Sequence, residues 1–263
     1  PRISKPMLQI SPLASVHPDA QLASDVTIDA FAVIEKDVHI GQGSWIASHA
    51  TVLNGTRMRD CCQVFHGAVV GGIPQDLKFE GEDSQLLIGN HVVIREYATL
   101  NRGTKAYGKT EIGDHSLIMA YAHVAHDCII GEHVILVNSV SLAGHVVIGD
   151  WSILGGLSAV HQFVHIGEHV MVGGGSMVRQ DIPPFITVAR TPLAFDGVNS
   201  IGLKRRGFSH ERIERIQSTY RLLYQSGRNV TQAKEALKDN KDPDSQAILD
   251  FIAKSERGIL LKS

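Results

Sequence analysis

The chain has 263 residues, 43% of them hydrophobic, and a formal net charge of −2 at pH 7. These values predict a soluble globular protein of one large domain, with or without a small second one, and they exclude a strongly basic nucleic-acid-binding protein. No segment approaches the roughly 20 apolar residues that span a bilayer, so we expect no membrane insertion.

The N-terminal segment and the cysteines indicate a cytoplasmic protein. Residues 1–9 form a lead-in, in which we interpret residues 1–6 as a tag remnant before a native Met7. This lead-in lacks the apolar segment of a signal peptide. Cys61, Cys62 and Cys128 are odd in number and lack metal-ligand spacing, which favours reduced thiols.

From Ile10 to Val178 an aliphatic residue recurs at every sixth position, and the residue four places later is small or β-branched. This period fits neither a helix nor an ordinary strand, and it is typical of parallel β-helices. The prediction is an all-β solenoid over residues 10–184. Glycine follows the aliphatic residue in several hexads, for example at Gly41, Gly89 and Gly149, which suits a sharp turn.

Two segments interrupt the hexads without changing their phase, at 71–87 and at 105–111. In a solenoid such insertions are loops that project from the coils. Long loops on a rigid scaffold commonly carry function, so we expect the first loop to contribute to a site.

The hexads end before residue 185, and we predict an irregular linker over 185–200 and a small α-helical domain over 201–263. Ser209, Thr231 and Asp242 are the predicted N-caps of three helices. Residues 203–263 contain 13 Lys and Arg against 8 Asp and Glu, a net charge of +5. This part of the chain could meet an acidic or phosphate-bearing partner, or could simply be a solvated helical surface.

The hexads resemble those of the left-handed β-helix acyltransferases, in which three hexads make one triangular coil. Residues 18 apart then stack, which places His126, Gly144 and Gln162 in one column and Asp127, His145 and Phe163 in the next. By contrast, the register places most of the other histidines in turns or on the surface, where we expect them to have only a structural role. These are His17, His39, His49, His91, His115, His133 and His169.

The clustered residues suit general base catalysis. Histidine is the side chain whose unperturbed pKa lies near neutral pH, so His126 could be the base. Asp127 could orient it, and the unshielded Gly144 amide could stabilise an oxyanion. Cys128 occupies an inward slot, so we expect no covalent intermediate. A zinc site that includes His123 and His145 is an alternative, and a binding or scaffolding solenoid without chemistry is another.

Several segments of the chain carry a more specific resemblance. They are Gln75–Lys78, Asn101–Thr104, Ala122–Cys128, Leu142–His145, Gly155–Phe163 and Gly202–Ser209. In these segments the chain resembles the UDP-N-acetylglucosamine O-acyltransferases, nearly from end to end. The resemblance implies transfer of an (R)-3-hydroxyacyl group from acyl carrier protein to the 3-hydroxyl of UDP-GlcNAc, the first step of lipid A synthesis in the cytoplasm of Gram-negative bacteria.

The resemblance also implies residue roles. His126 matches the general base, Asp127 its partner and Gly144 the oxyanion donor, while Gly174 matches a position at the end of the acyl chain. The matched substrate contacts are Gln75, Asp76, Lys78, His123, His145, His161, Gln162, Asn199, Arg205 and Arg206. It further implies a homotrimer with sites between subunits, no metal and no resident cofactor, because 4′-phosphopantetheine arrives with the donor.

Two departures concern the nucleotide contacts. The family carries Glu two residues after the matched Asn, whereas this chain has Ile201, and residues 189–196 also differ. The alternative function is a related hexapeptide N-acyltransferase or acetyltransferase. The N-acyltransferase of the same pathway has an extra domain before its hexads, whereas here the hexads begin at Ile10.

Overall fold

The computed structural model describes residues 8–227, 229–238 and 240–260. The expected tag remnant and Met7 lie outside these residues. Within the described part, short strands are followed by helices. In chain order the strands are β1 Gln9–Ile10, β2 Ser15–Val16, β3 Gln21–Leu22, β4 Thr27–Ile28, β5 Val33–Ile34, β6 Val38–Ile40, β7 Trp45–Ile46, β8 Thr51–Val52, β9 Thr56–Met58, β10 Gln63–Val64, β11 Val69–Gly72, β12 Gln85–Ile88, β13 Val93–Ile94, β14 Thr99–Asn101, β15 Lys109–Ile112, β16 Leu117–Ile118, β17 His123–Val124, β18 Ile129–Ile130, β19 Ile135–Leu136, β20 Ser141–Leu142, β21 Val147–Ile148, β22 Ile153–Leu154, β23 Ala159–Val160, β24 His165–Ile166, β25 Met171–Val172, β26 Met177–Val178, β27 Ile186–Ala189 and β28 Ala194–Val198.

The strands form three sheets, one on each face of a triangular solenoid. Sheet 1 has eleven strands and contains β1 and every third strand after it to β25, followed by β27 and β28. Sheet 2 contains β2 to β26 and sheet 3 contains β3 to β24, again by every third strand. Corner 1–2, corner 2–3 and corner 3–1 are the turns that join these sheets. The coils wind left-handed, and this confirms the predicted fold.

The aliphatic residue of each hexad points into the core. Ile46, Val64 and Leu136, for example, have no exposed surface. Ile135 of one coil pairs with Ile153 of the next, 18 residues later, so the predicted stacking register is confirmed. Each coil therefore buries apolar surface against its two neighbours, and stability accumulates along the axis.

The glycines that follow the aliphatic residue of the hexads are not the turn residues that the sequence predicted. Residues with positive φ occupy the third place after the aliphatic residue, and they include His91, His115 and His133 at φ 55–59°. The histidines thus fill the left-handed turn position, as predicted. The glycines just after the aliphatic residue serve close packing instead, because a Cβ on Gly149 would lie 2.5 Å from the backbone nitrogen of Glu168 in the next coil.

Residues 185–200 are not the predicted irregular linker. β27 adds to β25 in parallel, and β28 returns antiparallel to β27. Ile186 and Val188 are buried and alternate with less buried neighbours, which is the two-residue period of a half-buried strand. Because this period is not six, the hexad pattern missed both strands.

Four helices follow: α1 Ser200–Arg205, α2 His210–Tyr224, α3 Val230–Leu237 and α4 Pro243–Lys254. Ser209 and Asp242 cap α2 and α4 as predicted. Thr231 is not a cap, because Asn229 begins α3 with a reciprocal capping box to Gln232. The sequence also missed α1, a single short helix capped by Asn199.

The helical segment docks on the last coil of the solenoid. The Tyr220 hydroxyl donates to the carbonyl of Pro184 at 2.5 Å, and Ser255 donates to the buried carboxylate of Asp181 at 2.6 Å. The chain end also pairs with this coil, since Leu260 donates its amide to the Asp181 carbonyl. Among the described residues, no helix is both long and apolar enough to cross a bilayer.

Candidate active site

Corner 2–3 carries both insertions and the predicted catalytic residues. The loops run over residues 73–84, between β11 and β12, and 102–108, between β14 and β15. His126 lies in the next turn of the same corner, between β17 and β18. The first loop is shorter than the predicted insertion 71–87, because β11 and β12 each extend two residues beyond a single hexad strand. The second loop is as long as the predicted insertion 105–111 but lies three residues earlier, because β15 begins at Lys109.

His126 and Asp127 form a hydrogen-bonded pair, with 2.8 Å between Nδ1 of His126 and Oδ2 of Asp127. Asp127 has no exposed surface and occupies the left-handed turn position at φ 59°. With the Nδ1–H of His126 donating to this carboxylate, Nε2 is free to accept a proton from another molecule.

Asp127 is held by two threonines that the sequence did not identify as site residues. Thr104 donates its amide to Oδ1 at 2.9 Å and its hydroxyl to Oδ2 at 2.7 Å. Asp127 in turn donates its own amide to the Thr110 hydroxyl at 2.8 Å. A carboxylate without water contact requires such donors, so loop 102–108 completes the pair.

Gly144 stacks on His126, as the coil register predicted. A Cβ on Gly144 would lie 2.6 Å from Cε1 and 2.7 Å from Nε2 of the His126 ring, so the ring occupies the space of the missing side chain. Ala143 and His145 donate their amides to Val160 and His126. In the described part of the chain, the Gly144 N–H between them has no acceptor.

Two further histidines flank the pair. His145 places Nε2 at 3.7 Å from Oδ2 of Asp127, and its ring stacks on Phe163. Burial lowers the pKa of His145, although the charge of Asp127 acts in the opposite direction. Burial and then the charge of His126 lower the pKa of His123, whose Nδ1 is 2.7 Å from the Thr99 hydroxyl. Both rings are therefore neutral near pH 7.

The remaining predicted residues of this corner are more open. His161 and Gln162 are exposed in the coil above Gly144. Gln75 and Lys78 are exposed on loop 73–84. Asp76, half-buried on the same loop, is near enough for its charge to raise the pKa of His145 against the lowering by burial.

Four predicted residues lie away from corner 2–3. Gly174 is exposed at corner 1–2, between β25 and β26. Asn199 and Arg206 contact His169, which lies at corner 3–1. Arg205 is exposed beside them on α1. A single chain thus brings together the catalytic pair, Gly144 and the neighbouring histidines, but not the predicted nucleotide and acyl-chain contacts.

The same geometry bears on metal binding and on nucleophiles. His126, Asp127 and His145 offer ligand atoms that all lie within 4.8 Å of one another, so a metal ion could be held there. However, Oδ2 of Asp127 already accepts hydrogen bonds from Thr104 and His126. Cys128 is fully buried and burial raises its pKa to about 12, so it cannot act as a nucleophile.

The chain is similar to known acyltransferases over nearly its whole length. Residues 181–260 match the family model for domain 2 of UDP-N-acetylglucosamine O-acyltransferase, and residues 109–144 match the bacterial transferase hexapeptide model. The acyl-(acyl-carrier-protein)–UDP-N-acetylglucosamine O-acyltransferase of Thiobacillus denitrificans is 46% identical over 97% of this chain and 100% of its own length. The Chlorobaculum parvum enzyme of the same name is 48% identical, with 96% and 97% covered.

Solved structures show the same similarity. LpxA from Acinetobacter baumannii superposes with a TM-score of 0.92 at 40% identity, over 95% of this chain and 99% of the other. LpxA from Bacteroides fragilis, a UDP-N-acetylglucosamine acyltransferase, gives a TM-score of 0.92 at 44% identity, over 96% and 100%. Both the solenoid and the helical segment are therefore shared.

Proposed function

The chain belongs to the acyl-(acyl-carrier-protein)–UDP-N-acetylglucosamine O-acyltransferase family, and on that premise we propose that it moves an (R)-3-hydroxyacyl chain from acyl carrier protein to the 3-hydroxyl of UDP-GlcNAc, as the first step of lipid A synthesis. The observation that carries the proposal is the His126–Asp127 pair beside the unpaired Gly144 amide. The enzyme acts in the cytoplasm and needs no resident cofactor, since phosphopantetheine arrives with the donor.

His126 is the general base of the proposed reaction. Its Nε2 takes the proton from the acceptor hydroxyl while the hydroxyl oxygen attacks the thioester carbon. Asp127, fixed by Thr104, holds the ring in the required tautomer and stabilises the imidazolium. The Gly144 N–H then donates to the oxyanion that develops on the carbonyl oxygen. The C–S bond breaks, and the proton passes from His126 to the leaving thiolate.

Attack is direct, without an acyl-enzyme. The thiol nearest in sequence to the pair, Cys128, is buried and protonated, and the Thr104 hydroxyl is committed to Asp127. The acceptor hydroxyl is therefore the nucleophile. The neutral rings of His123 and His145, with His161, Gln162 and the loop residues Gln75, Asp76 and Lys78, are the proposed contacts to the two substrates.

The complete site requires more than one copy of the chain, and we infer a homotrimer. Sheet 1 carries an aliphatic column on its outer face over five successive coils, and these side chains are only partly buried. They are Val93, Leu117, Ile135, Ile153 and Met171. Because sheet 1 is the face opposite corner 2–3, this column can meet His126 only of another copy, where it would line the acyl chain together with Gly174.

The test of the proposed function is turnover of purified protein with hydroxyacyl carrier proteins of several chain lengths, read by mass spectrometry of the product. We expect His126→Ala to lower kcat by about a thousandfold, because base catalysis is lost. His115→Ala is the matched control: it also removes a turn histidine, but from corner 3–1, and it should keep wild-type turnover.

The same assay separates the alternatives. Near-normal turnover by His126→Ala would show that another group is the base. Preference for an amino-sugar acceptor or for acetyl-CoA would instead indicate a related N-acyltransferase or acetyltransferase. Stoichiometric zinc that is lost in His126→Ala and His145→Ala would replace the proposed mechanism with metal chemistry.

A further inference from the structure

Arg206, at the end of α1, is a partly buried cation without a carboxylate partner among the described residues. Its Nη1 lies 3.3 Å from Nδ1 of His169, and its guanidinium carbon lies 5.5 Å from the centre of the Trp151 ring. Arg212, nearby, shows the usual solution, since two of its nitrogens contact Asp244 at 2.7 and 2.8 Å. The charge of Arg206 is not balanced in this way.

His169 is the side chain that orients Arg206. Only 8% of His169 is exposed, and its ring stacks between Trp151 and Phe185 at corner 3–1. Burial, together with the charges of Arg206 and Arg212, lowers the pKa of His169 to about 4. The ring is therefore neutral, and because a guanidinium can only donate, Nδ1 must be the acceptor.

The backbone of the same histidine fixes the other end of α1. Asn199 donates its side-chain amide to the His169 carbonyl at 2.9 Å, and its side-chain oxygen accepts from the Gly202 amide at 3.2 Å. His169 thus holds both ends of α1. Its carbonyl binds Asn199 at the start of the helix, and its ring contacts the Arg206 guanidinium at the end. Both ends of the Asn199 side chain are consequently occupied by the protein itself.

We propose that His169 is a positioning residue that holds the Arg206 guanidinium for a phosphate group of a substrate. A carboxylate in its place would orient Arg206 equally well but would cancel the charge that attracts the phosphate. A neutral acceptor orients the cation and leaves the charge for the ligand. This inference rests on the proposed function, in which each substrate brings a phosphate-bearing moiety: the diphosphate of UDP-GlcNAc and the phosphodiester of the carrier arm.

Three substitutions separate orientation, charge and packing. His169→Gln keeps a neutral acceptor, His169→Phe keeps an aromatic ring without an acceptor, and His169→Glu keeps an acceptor but adds a negative charge. We expect His169→Phe and His169→Glu to raise the KM of the substrate whose phosphate Arg206 binds by about tenfold, as for a weakened charged hydrogen bond. The kcat of both variants should stay within about twofold of the wild-type value. His169→Gln should stay within about threefold of the wild-type KM.

The affected KM identifies the phosphate. A higher KM for UDP-GlcNAc, with weaker binding of UDP in calorimetry, assigns the diphosphate, whereas a higher KM for the hydroxyacyl carrier protein assigns the phosphodiester. Arg206→Ala should raise the same KM, and adding His169→Phe to it should have little further effect, because the two residues act as one unit.

The inference would be overturned if His169→Phe left both KM values unchanged, if its effect added fully to that of Arg206→Ala, or if His169→Glu bound substrate as well as His169→Gln. A wild-type protein without any acyl transfer to UDP-GlcNAc would contradict the proposed function instead. Calorimetry with UDP alone still reads Arg206 and His169 in that case, so the two failures are distinguishable.

Discussion

At the scale of single residues, the site depends on how a buried carboxylate is held. Asp127 accepts one hydrogen bond from the His126 imidazole and two from Thr104, so its position is set by three donors. His126, Asp127 and Gly144 could be predicted, because an 18-residue coil fixes which residues stack. Thr104 could not, because it lies within loop 102–108, whose length interrupts that arithmetic.

We expect Thr104→Val to lower kcat by about tenfold to a hundredfold, because orienting partners of catalytic or ligand histidines typically contribute this much. The valine keeps the shape and the backbone donor but removes the hydroxyl that binds Asp127. Steady-state kinetics with UDP-GlcNAc and a hydroxyacyl carrier protein give the measurement, and the KM values should change little.

Thr56→Val is the matched control for this substitution. Thr56 is also a buried threonine of the solenoid, but its hydroxyl donates to the carbonyl of Leu53 and does not reach the pair. Its removal should lower thermal stability and leave kcat unchanged. Equal losses of kcat in both variants would mean that Thr104 acts through packing and not through Asp127.

At the scale of elements, each corner of the solenoid combines a residue in a left-handed turn with a position where successive coils pack very closely. The hexads predicted the strands well, because one inward aliphatic residue per hexad is a strong constraint. They could not predict β27 and β28, where the period changes to two, or α1, which has one buried residue, Leu203. Short elements fixed by contacts distant in sequence leave little local pattern.

The close packing predicts a difference between two glycines of one coil. A methyl on Gly149 would meet the backbone of Gly167 and Glu168 at 2.5–2.9 Å, whereas one on Gly156 would lie no nearer than 3.2 Å to any atom beyond its chain neighbours. Gly149→Ala should therefore destabilise the protein by about 1–3 kcal/mol, as overpacking does. Gly156→Ala should change stability by less than about 1 kcal/mol.

Thermal and denaturant unfolding of the two variants, measured side by side, test this difference. The pair is matched, because both add one methyl group to a glycine that does not require positive φ. If Gly149→Ala melted at the wild-type temperature, the coils would have to shift apart more easily than the geometry indicates.

At the scale of the whole molecule, the predicted contacts of one reaction are divided between corners of one chain. His126 lies at corner 2–3 and Arg206 at corner 3–1, so sheet 3 separates them. In UDP-GlcNAc the diphosphate lies within a few bonds of the reacting hydroxyl. In the acyl carrier protein the phosphodiester is joined to the reacting thioester by one flexible arm. A shared substrate is most simply reached if the two residues come from neighbouring subunits.

Mixed trimers test this division. When His126→Ala and Arg206→Ala chains are co-expressed in equal amounts, sites that combine the intact residue of each chain should form, and about one-quarter of sites would be complete in a random cyclic trimer. At substrate concentrations well below the wild-type KM values, we expect activity clearly above that of either variant alone, because His126→Ala lacks the base and Arg206→Ala binds its substrate weakly. If both residues served the same site from one chain, mixing would restore nothing, and the mixed protein would match the average of its parents.

The stacked register has a consequence for how such an enzyme can change. Because each coil adds one inter-strand spacing of about 4.8 Å, the height between the reacting histidine and any feature further along the axis comes in fixed steps. Gain or loss of a whole coil would move the helical segment and the far end of the proposed acyl-chain contacts by one step, while every corner kept its orientation. Chain-length preference could thus be coarsely set by counting coils and finely set by single side chains such as the one absent at Gly174.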